Sequence, residues 1–316
     1  VPRIAYGFRS GIGNFIIATS VIQTLADYAG QPVDLILDDD WRDGGREAVE
    51  LIASQLPFIK NIVEYPCDLR EWDYVYMSRH GYLISSLYQE LFGNMALKIA
   101  DLPGWAKTYQ HERDFYLQEI SELLSSGTRL KIFPQIMPVA EKFPYELPEG
   151  PIICLANGWK RSHGNKWGRK AYPHFPEYLG SLLGFYPEVH VCLLGGKEDQ
   201  KWAQSLGKNP RVHDFTGKLN ILETAYLVKK AALTVSSDSA VGHLIDALNR
   251  PGIVLFGSTL VSKNSPLNQS VEVIRSPLVC APCQGTVYFS LCQNSSECMA
   301  AIEPGLVMAY VRKLLR

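Results

Sequence analysis

The chain has 316 residues, of which 47% are apolar and 20% charged, and its formal net charge is −1. This is the composition of a globular protein with room for two cores, and it excludes a global basic field of the kind that recruits nucleic acid. No apolar run approaches the ~20 residues that span a bilayer, and VPRIAYGF at the N-terminus enters a strand without a signal-peptide pattern, so a cytoplasmic setting is expected.

In chain order, Arg3 to Phe8 reads as a strand and is followed by the loop Arg9-Ser10-Gly11-Ile12-Gly13-Asn14. A helix to about Tyr28 places Phe15, Ala18, Ile22 and Leu25 on one face, and Gly30-Gln31-Pro32 stops it. Val33 to Leu37 is a second strand, ending in Asp38-Asp39-Asp40. Arg46 to Gln55 reads as helix, Asn61 to Glu64 and Trp72 to Met77 as strands, Tyr82 to Phe92 and Glu112 to Leu124 as helices, with an irregular stretch from Asn94 to Tyr109. Lys142 to Pro151 holds three prolines and reads as a linker.

The alternation then restarts. Ile152 to Leu155 is a strand, Asn157 to Lys170 a polar loop, Pro173 to Leu183 a helix, and Val189 to Leu194 a strand ending in Gly195-Gly196. Asp199 to Leu206 is a helix, Val212 to Asp214 a short strand before Thr216-Gly217, and Leu219 to Ala231 a helix. Leu233 to Gly257 parses as strand, turn, helix and strand, with Ser236-Ser237-Asp238-Ser239 supplying helix-start chemistry. Pro304 to Arg316 is a basic-ended helix; its charges complement the helix dipole, and peripheral attachment to a membrane surface is the second reading.

The expectation is α/β: two doubly wound Rossmann-like domains facing a central cleft, with parallel sheets. Residues 1–145 form the first domain and 146–302 the second, and the helix at 303–316 packs back toward the first. The strongest local signal is the turn at Asp238-Ser239, where free N–H groups open a helix directly after a strand, a setting that suits phosphate.

Four segments in order carry a resemblance to a known family: RIAYGFRSGIGNFIIATSVIQTL; NGWKRSHGNKWGRKAYPHF with VCLLGGKEDQKWA; DSAVGHLIDAL with PGIVLFGST; and VCAPCQG through CMAAIEPGLV. They resemble the heptosyltransferase-type glycosyltransferases of family 9, which have the two-domain GT-B fold. Residues 40 to 130 carry little of the likeness. The resemblance implies inverting transfer of a sugar from a nucleotide diphosphate donor, held by the C-terminal domain, to an acceptor held by the N-terminal domain. The acceptor it implies is a lipopolysaccharide or another cell-surface glycan, which would place the enzyme on the inner face of the cytoplasmic membrane. No metal is implied for catalysis.

Departure of a nucleotide diphosphate concentrates negative charge on its oxygens, so fixed donors aimed there carry the largest catalytic effect. The N–H groups of Ser239, Ala240 and Val241, with the Ser239 hydroxyl, would cradle the diphosphate, while Asp238 caps the helix or binds sugar hydroxyls and His243 supports it. Lys166 is the preferred direct phosphate contact, because the family pattern has a lysine before an aromatic there; Lys160, Arg161, Arg169 and Lys170 crowd the same loop. Asn157 and Gly158 would let the donor approach the backbone, and Gly195, Gly196, Thr216 and Gly217 would line the nucleotide.

The base that takes the acceptor proton is the point of departure. The family has an aspartate directly after the second loop glycine, whereas here Asn14 follows Gly13. Asparagine cannot accept that proton but can position the acceptor. His80 is the favoured base, its unperturbed pKa of ~6.5 suiting neutral pH; Asp101 and the Asp38 to Asp40 run are the others. Arg9 and Ser10 would bind an anionic acceptor. Asn14 also keeps two further readings open, a GT-B nucleotide-sugar epimerase or hydrolase and a non-catalytic nucleotide-sugar-binding protein. The loop gives only G-x-G, which argues against a dinucleotide oxidoreductase.

Of the seven cysteines, Cys67, Cys154 and Cys192 lie in or beside apolar runs and read as core thiols. Cys280, Cys283, Cys292 and Cys298 are spaced C-x2-C-x8-C-x5-C; structural zinc, disulfides and free thiols all fit that spacing.

Overall fold

The computed structural model describes residues 1–8, 10–38, 45–77, 110–124, 131–158, 170–284, 286, 289, 291–292 and 297–315. The chain divides into two compact units, Val1–Pro138 and Val139–Arg316.

The first unit contains β1 (Ile4–Phe8), α1 (Ile12–Ala29), β2 (Val33–Leu37), α2 (Arg46–Ala53), β3 (Ile59–Glu64), β4 (Tyr74–Met77) and α3 (Glu112–Leu124). Its strands are all parallel, in the order β3-β2-β1-β4. The two central strands, IAYGF and VDLIL, are buried at every position, as expected where helices cover both faces of a parallel sheet. The one charge within them, Asp34, is satisfied by the Trp72 indole N–H at 2.7 Å and the Asn61 amide at 2.8 Å. On α1 the expected inner face, Phe15, Ala18, Ile22 and Leu25, is fully buried. Its polar face is buried too, because residues 131–138 run along it. Ser20 and Thr24 donate to the Phe133 and Lys131 carbonyls, and the Ile136 N–H donates to Thr19 Oγ1 at 2.9 Å. The expected helix at 82–92 lies outside the described residues.

The second unit contains β5 (Ile152–Ala156), α4 (Phe175–Phe185), β6 (His190–Leu194), α5 (Gln200–Ser205), β7 (Val212–Asp214), α6 (Ile221–Lys230), β8 (Leu233–Ser237), α7 (Ala240–Ala247), β9 (Gly252–Phe256), α8 (Val261–Asn264), β10 (Val271–Arg275), α9 (Glu297–Ala300) and α10 (Pro304–Leu314). Six parallel strands lie in the order β10-β9-β8-β5-β6-β7, so β5 and β8 are central. α6 starts on a reciprocal cap in which the Asn220 side chain accepts from the Glu223 N–H and the Glu223 carboxylate accepts from the Asn220 N–H. Strand β10 has no counterpart in the sequence reading. It is an edge strand with a single neighbour, and of its residues only Ile274 is buried, so its apolar signal is weak.

Two expectations about organisation change. The division falls after Pro138 rather than at 145, because the proline-rich stretch is fastened to the second unit. The Ala140 N–H donates to the Leu222 carbonyl at 3.1 Å, and Phe143 stacks on Tyr226 at 5.6 Å and meets Phe215 edge-on. The terminal helix α10 packs its apolar face within its own unit. Val307, Met308 and Val311 are buried in the second unit's own core with Phe175, Leu179 and Leu255, and at roughly 1.5–3 kcal/mol for each large apolar side chain this burial determines where the helix lies. Its basic end is engaged locally, Lys313 with Glu272 and Arg312 over the Phe185 ring. Among the described residues no helix is long and apolar enough to cross a membrane.

Arg211 ties the far end of the second sheet together. Its guanidinium donates to the Leu183 carbonyl at 2.8 Å and the Tyr186 carbonyl at 2.9 Å, where α4 ends, and to Pro187 at 3.1 Å. A fixed cation at a helix C-terminus satisfies open carbonyls and opposes the dipole. Arg211→Met is expected to cost about 1–3 kcal/mol, read as a lower melting temperature, with Arg211→Lys recovering only part of it.

Candidate functional site

The loops after β5, β6, β7, β8 and β9 leave the same end of one parallel sheet, the end at which open α/β sheets bind ligands. At its centre β8 ends at Ser237, Asp238 makes the turn, and Ser239 is the extended residue preceding α7, with φ −149°. The Ser239 hydroxyl does not cap its own helix; it lies 3.0 Å from the Ser236 hydroxyl. The first N–H groups of a helix have no intrahelical acceptor, and the first turn of α7 carries no acidic side chain. A helix start of this kind presents dipole-positive N–H groups, which suits an anion.

Asp238 is paired within the protein. It is 5% exposed, and its Oδ2 accepts from the Lys170 ammonium at 2.7 Å. Burial pushes its carboxyl up, but the Lys170 charge and hydrogen bond, the His243 charge and the Thr259 hydroxyl together outweigh burial and hold it below the ordinary carboxylate range. The turn therefore carries a neutralised acid, which removes the repulsion that a bare carboxylate would exert on a phosphate. Lys170 was one of a crowd in the sequence. The signal that singles it out is its place two residues before Tyr172-Pro173, where the loop rejoins the fold ahead of α4.

Asn157 and Gly158 follow β5. The Asn157 side-chain oxygen accepts the Tyr172 N–H at 2.6 Å, and its main-chain carbonyl accepts the Ser237 hydroxyl at 2.6 Å. Gly158 has φ +60°, and a Cβ there would stand 2.7 Å from Ser237 Oγ and 2.9 Å from Ser239 Cβ. No other residue fits without moving the turn that carries Asp238. His243 is buried on α7, within electrostatic reach of Asp238.

The glycines after β6 and β7 stand together, the Gly217 N–H donating to the Gly195 carbonyl at 2.9 Å. They do not form an open phosphate loop. Asp199 accepts the Gly196 N–H at 2.9 Å and crowds Gly195, and Glu198 crowds Gly196. Acidic groups there suit hydroxyls rather than phosphate. The Thr216 hydroxyl, expected at the base or ribose, is buried and donates to Asp214 at 2.6 Å.

In the first unit, Ser10, Gly13 and Asn14 lie at the start of α1, directly after β1. The Asn14 amide donates to the Ser10 hydroxyl at 2.7 Å, closing the loop on itself. Arg9, His80, Asp101 and Lys166 lie outside the described residues, as do Asp39 and Asp40.

Cys154 and Cys192 face one another across β5 and β6; burial pushes both thiols up, Cys192 to about 12. Cys154, Cys192, Cys280 and Cys298 are free thiols. Burial, with Cys283 nearby, pushes the Cys298 thiol up to about 11. Among the described residues no three His, Cys, Asp or Glu side chains are arranged to hold a metal ion, so Cys280, Cys283, Cys292 and Cys298 do not fit a zinc site as they are placed.

The family model for glycosyltransferase family 9 (heptosyltransferase) matches residues 162–290. The chain is 29% identical over 141 residues to lipooligosaccharide heptosyltransferase 2 of Haemophilus influenzae, an alignment covering 43% of this chain and 39% of that relative's length. Two solved structures share the fold across 99% of this chain. They are the Escherichia coli ADP-heptose lipopolysaccharide heptosyltransferase II (TM-score 0.71, 17% identity, 98% of that chain) and a family 9 glycosyltransferase from Veillonella parvula (TM-score 0.71, 15% identity, 97% of that chain). Both have the GT-B architecture of two Rossmann-like sheets that this chain shows. The matched region contains Lys170, the Asp238-Ser239 turn and the first two late cysteines, Cys280 and Cys283, and over that region the chain is similar to glycosyltransferase family 9; the matches span about two fifths of the length of the curated relatives.

Proposed function

We propose that the protein is an inverting glycosyltransferase that moves a sugar from a nucleotide diphosphate donor to a hydroxyl of a lipopolysaccharide or another cell-surface glycan. The observation that carries this reading is the α7 N-terminus at the end of β8, opened by Asp238-Ser239 and neutralised by the buried Lys170–Asp238 pair. The N–H groups of Ser239 and Ala240, the Ser239 hydroxyl and the nearby ammonium of Lys170 face the leaving diphosphate, with Lys166 as a second cation. His243 supports Asp238. The carboxylates beside Gly195 and Gly196 take donor hydroxyls, and Gly217 packs behind them. ADP-heptose is the first donor to test, since the E. coli neighbour is named for it.

In a single displacement the acceptor oxygen bonds the anomeric carbon as the bond to the diphosphate breaks, and a base takes the acceptor proton. Residues of the first unit hold the acceptor, Ser10, Gly13 and Asn14 through the α1 loop and Arg9 through its charge. His80 is the proposed base, ahead of Asp101. His80→Ala is expected to lower kcat about 10²-fold or more while the nucleoside diphosphate Kd holds; unchanged turnover would dismiss it. No metal takes part in transfer. The four late cysteines take no part in transfer, and metal analysis of the purified protein, with no zinc expected, tests their placement. The enzyme works on the cytoplasmic side of the inner membrane, attached peripherally.

The deciding experiment is incubation with ADP-heptose and a heptose-deficient lipopolysaccharide core, reading the product anomer by NMR. A retained anomeric configuration, or no transfer from any nucleotide sugar, would overturn the proposal. Asn14 in place of an aspartate favours one second reading, a nucleotide-sugar binder, epimerase or hydrolase; sugar released or altered with donor alone would support it.

A further inference from the structure

The Lys170–Asp238 pair joins two segments far apart in the chain, and one residue stands between them. Asn157 is 2% exposed at the end of the central strand β5. Its side-chain oxygen holds the N–H of Tyr172, two residues after Lys170, at 2.6 Å. Its main-chain carbonyl holds the hydroxyl of Ser237, the residue before Asp238, at 2.6 Å. The far end of Tyr172 is anchored as well, its hydroxyl donating to the Ile302 carbonyl at 2.8 Å. His174 meets the Ala300 carbonyl at 2.8 Å. The loop's point of return is thus pinned from both sides, and the pin on the side of the ion pair is Asn157.

We infer that Asn157 is a positioning residue rather than a donor ligand, and that it sets the register of Lys170 against Asp238. Its side-chain oxygen is engaged by the Tyr172 N–H, and the side chain is nearly fully buried. An ion pair with side chains 19% and 5% exposed tolerates little misplacement, because a buried carboxylate that loses its cation either protonates or repels what binds beside it. Among the described residues, the groups that act on Asp238 are Lys170, His243 and Thr259, and of these Lys170 is carried by the segment that Asn157 holds. The consequence for donor binding rests on the proposed function, whereas the consequence for Asp238 does not.

The test reads both. Asp238 is titrated by carboxyl ¹³C NMR without nucleotide, its signal assigned by its loss in Asp238→Asn, and ADP affinity is measured by calorimetry. Asn157→Ala is expected to raise the Asp238 titration midpoint by about one unit or more and to weaken ADP about tenfold. Lys170→Met should raise the midpoint alone, and Asn157→Ala should add little to it, as for two steps of one linkage. Asn157→Ser, too short to reach Tyr172, gives the same readout if the alanine variant does not fold. An unmoved midpoint in the alanine and serine variants overturns the inference. A moved midpoint in a protein that binds no nucleoside diphosphate upholds the inference and overturns the proposed function instead.

Discussion

Lys170→Met is expected to lose both transfer and stability, and the two losses separate. Removing the ammonium leaves Asp238, only 5% exposed, as a buried charge without its cation, which costs about 3–5 kcal/mol. Turnover should fall about 10²- to 10³-fold, the effect of deleting one donor aimed at a developing oxyanion. The double variant Lys170→Met/Asp238→Asn removes the orphaned charge, so its melting temperature should recover while its turnover does not. Recovery of turnover in the double variant would show that Lys170 acts through structure alone.

The pH dependence reverses between the two proteins. In the wild type the Asp238 carboxyl is held low, against burial, by Lys170, His243 and Thr259. A depressed folded pKa means that the unfolded chain binds more protons. The contribution is therefore fully present above the unfolded value of about 4 and is lost as pH falls through the folded value. In Lys170→Met burial dominates and the folded pKa rises above the unfolded one. That variant should gain stability as pH falls from its raised folded value toward about 4. Calorimetric melts from about pH 2 to 8 should show the wild type losing the Asp238 contribution only below about pH 4, and the variant gaining stability as pH falls toward about 4; parallel curves would sink the assignment.

Gly158→Ala is the second large effect. The position has φ +60°, and the new methyl would stand 2.7 Å from Ser237 Oγ and 2.9 Å from Ser239 Cβ. The backbone strain costs about 1–2 kcal/mol, and relieving the contact moves the Ser237–Ser239 turn away from β5. Nucleoside diphosphate affinity should fall at least about tenfold, the weight of one charge-assisted contact, and Gly158→Val should be worse. Unchanged affinity in a folded Gly158→Ala would mean that the α7 N-terminus does not hold the phosphates.

Much of the fold was legible because its signals are local. Central strands such as IICLA and GIVLF are continuous apolar runs because both faces are covered, and the start of α7 is announced by serines and an aspartate within one turn. The elements that escaped are those whose signal is weak or whose destination is distant. β10 is a half-exposed edge strand. The proline stretch before β5 looked like a free linker until Phe143 was found stacked on Tyr226.

The sequence alone determined the class of the protein, two doubly wound sheets, and located the helix-opening turn at Asp238-Ser239, because periodicity, caps and motif order are properties of neighbouring residues. It also exposed the anomaly at Asn14, since one residue type in one loop is read directly. Only the tertiary structure decided what the polar residues around that turn do. Five basic side chains crowd the loop from Lys160 to Lys170 with nothing in their order to rank them. Asp238 meets Lys170 across 68 residues, and Asn157 meets Ser237 across 80. Ion pairs and hydrogen bonds act over a few ångströms, so their partners are set by which strand ends the sheet brings together, and sequence distance carries no record of that.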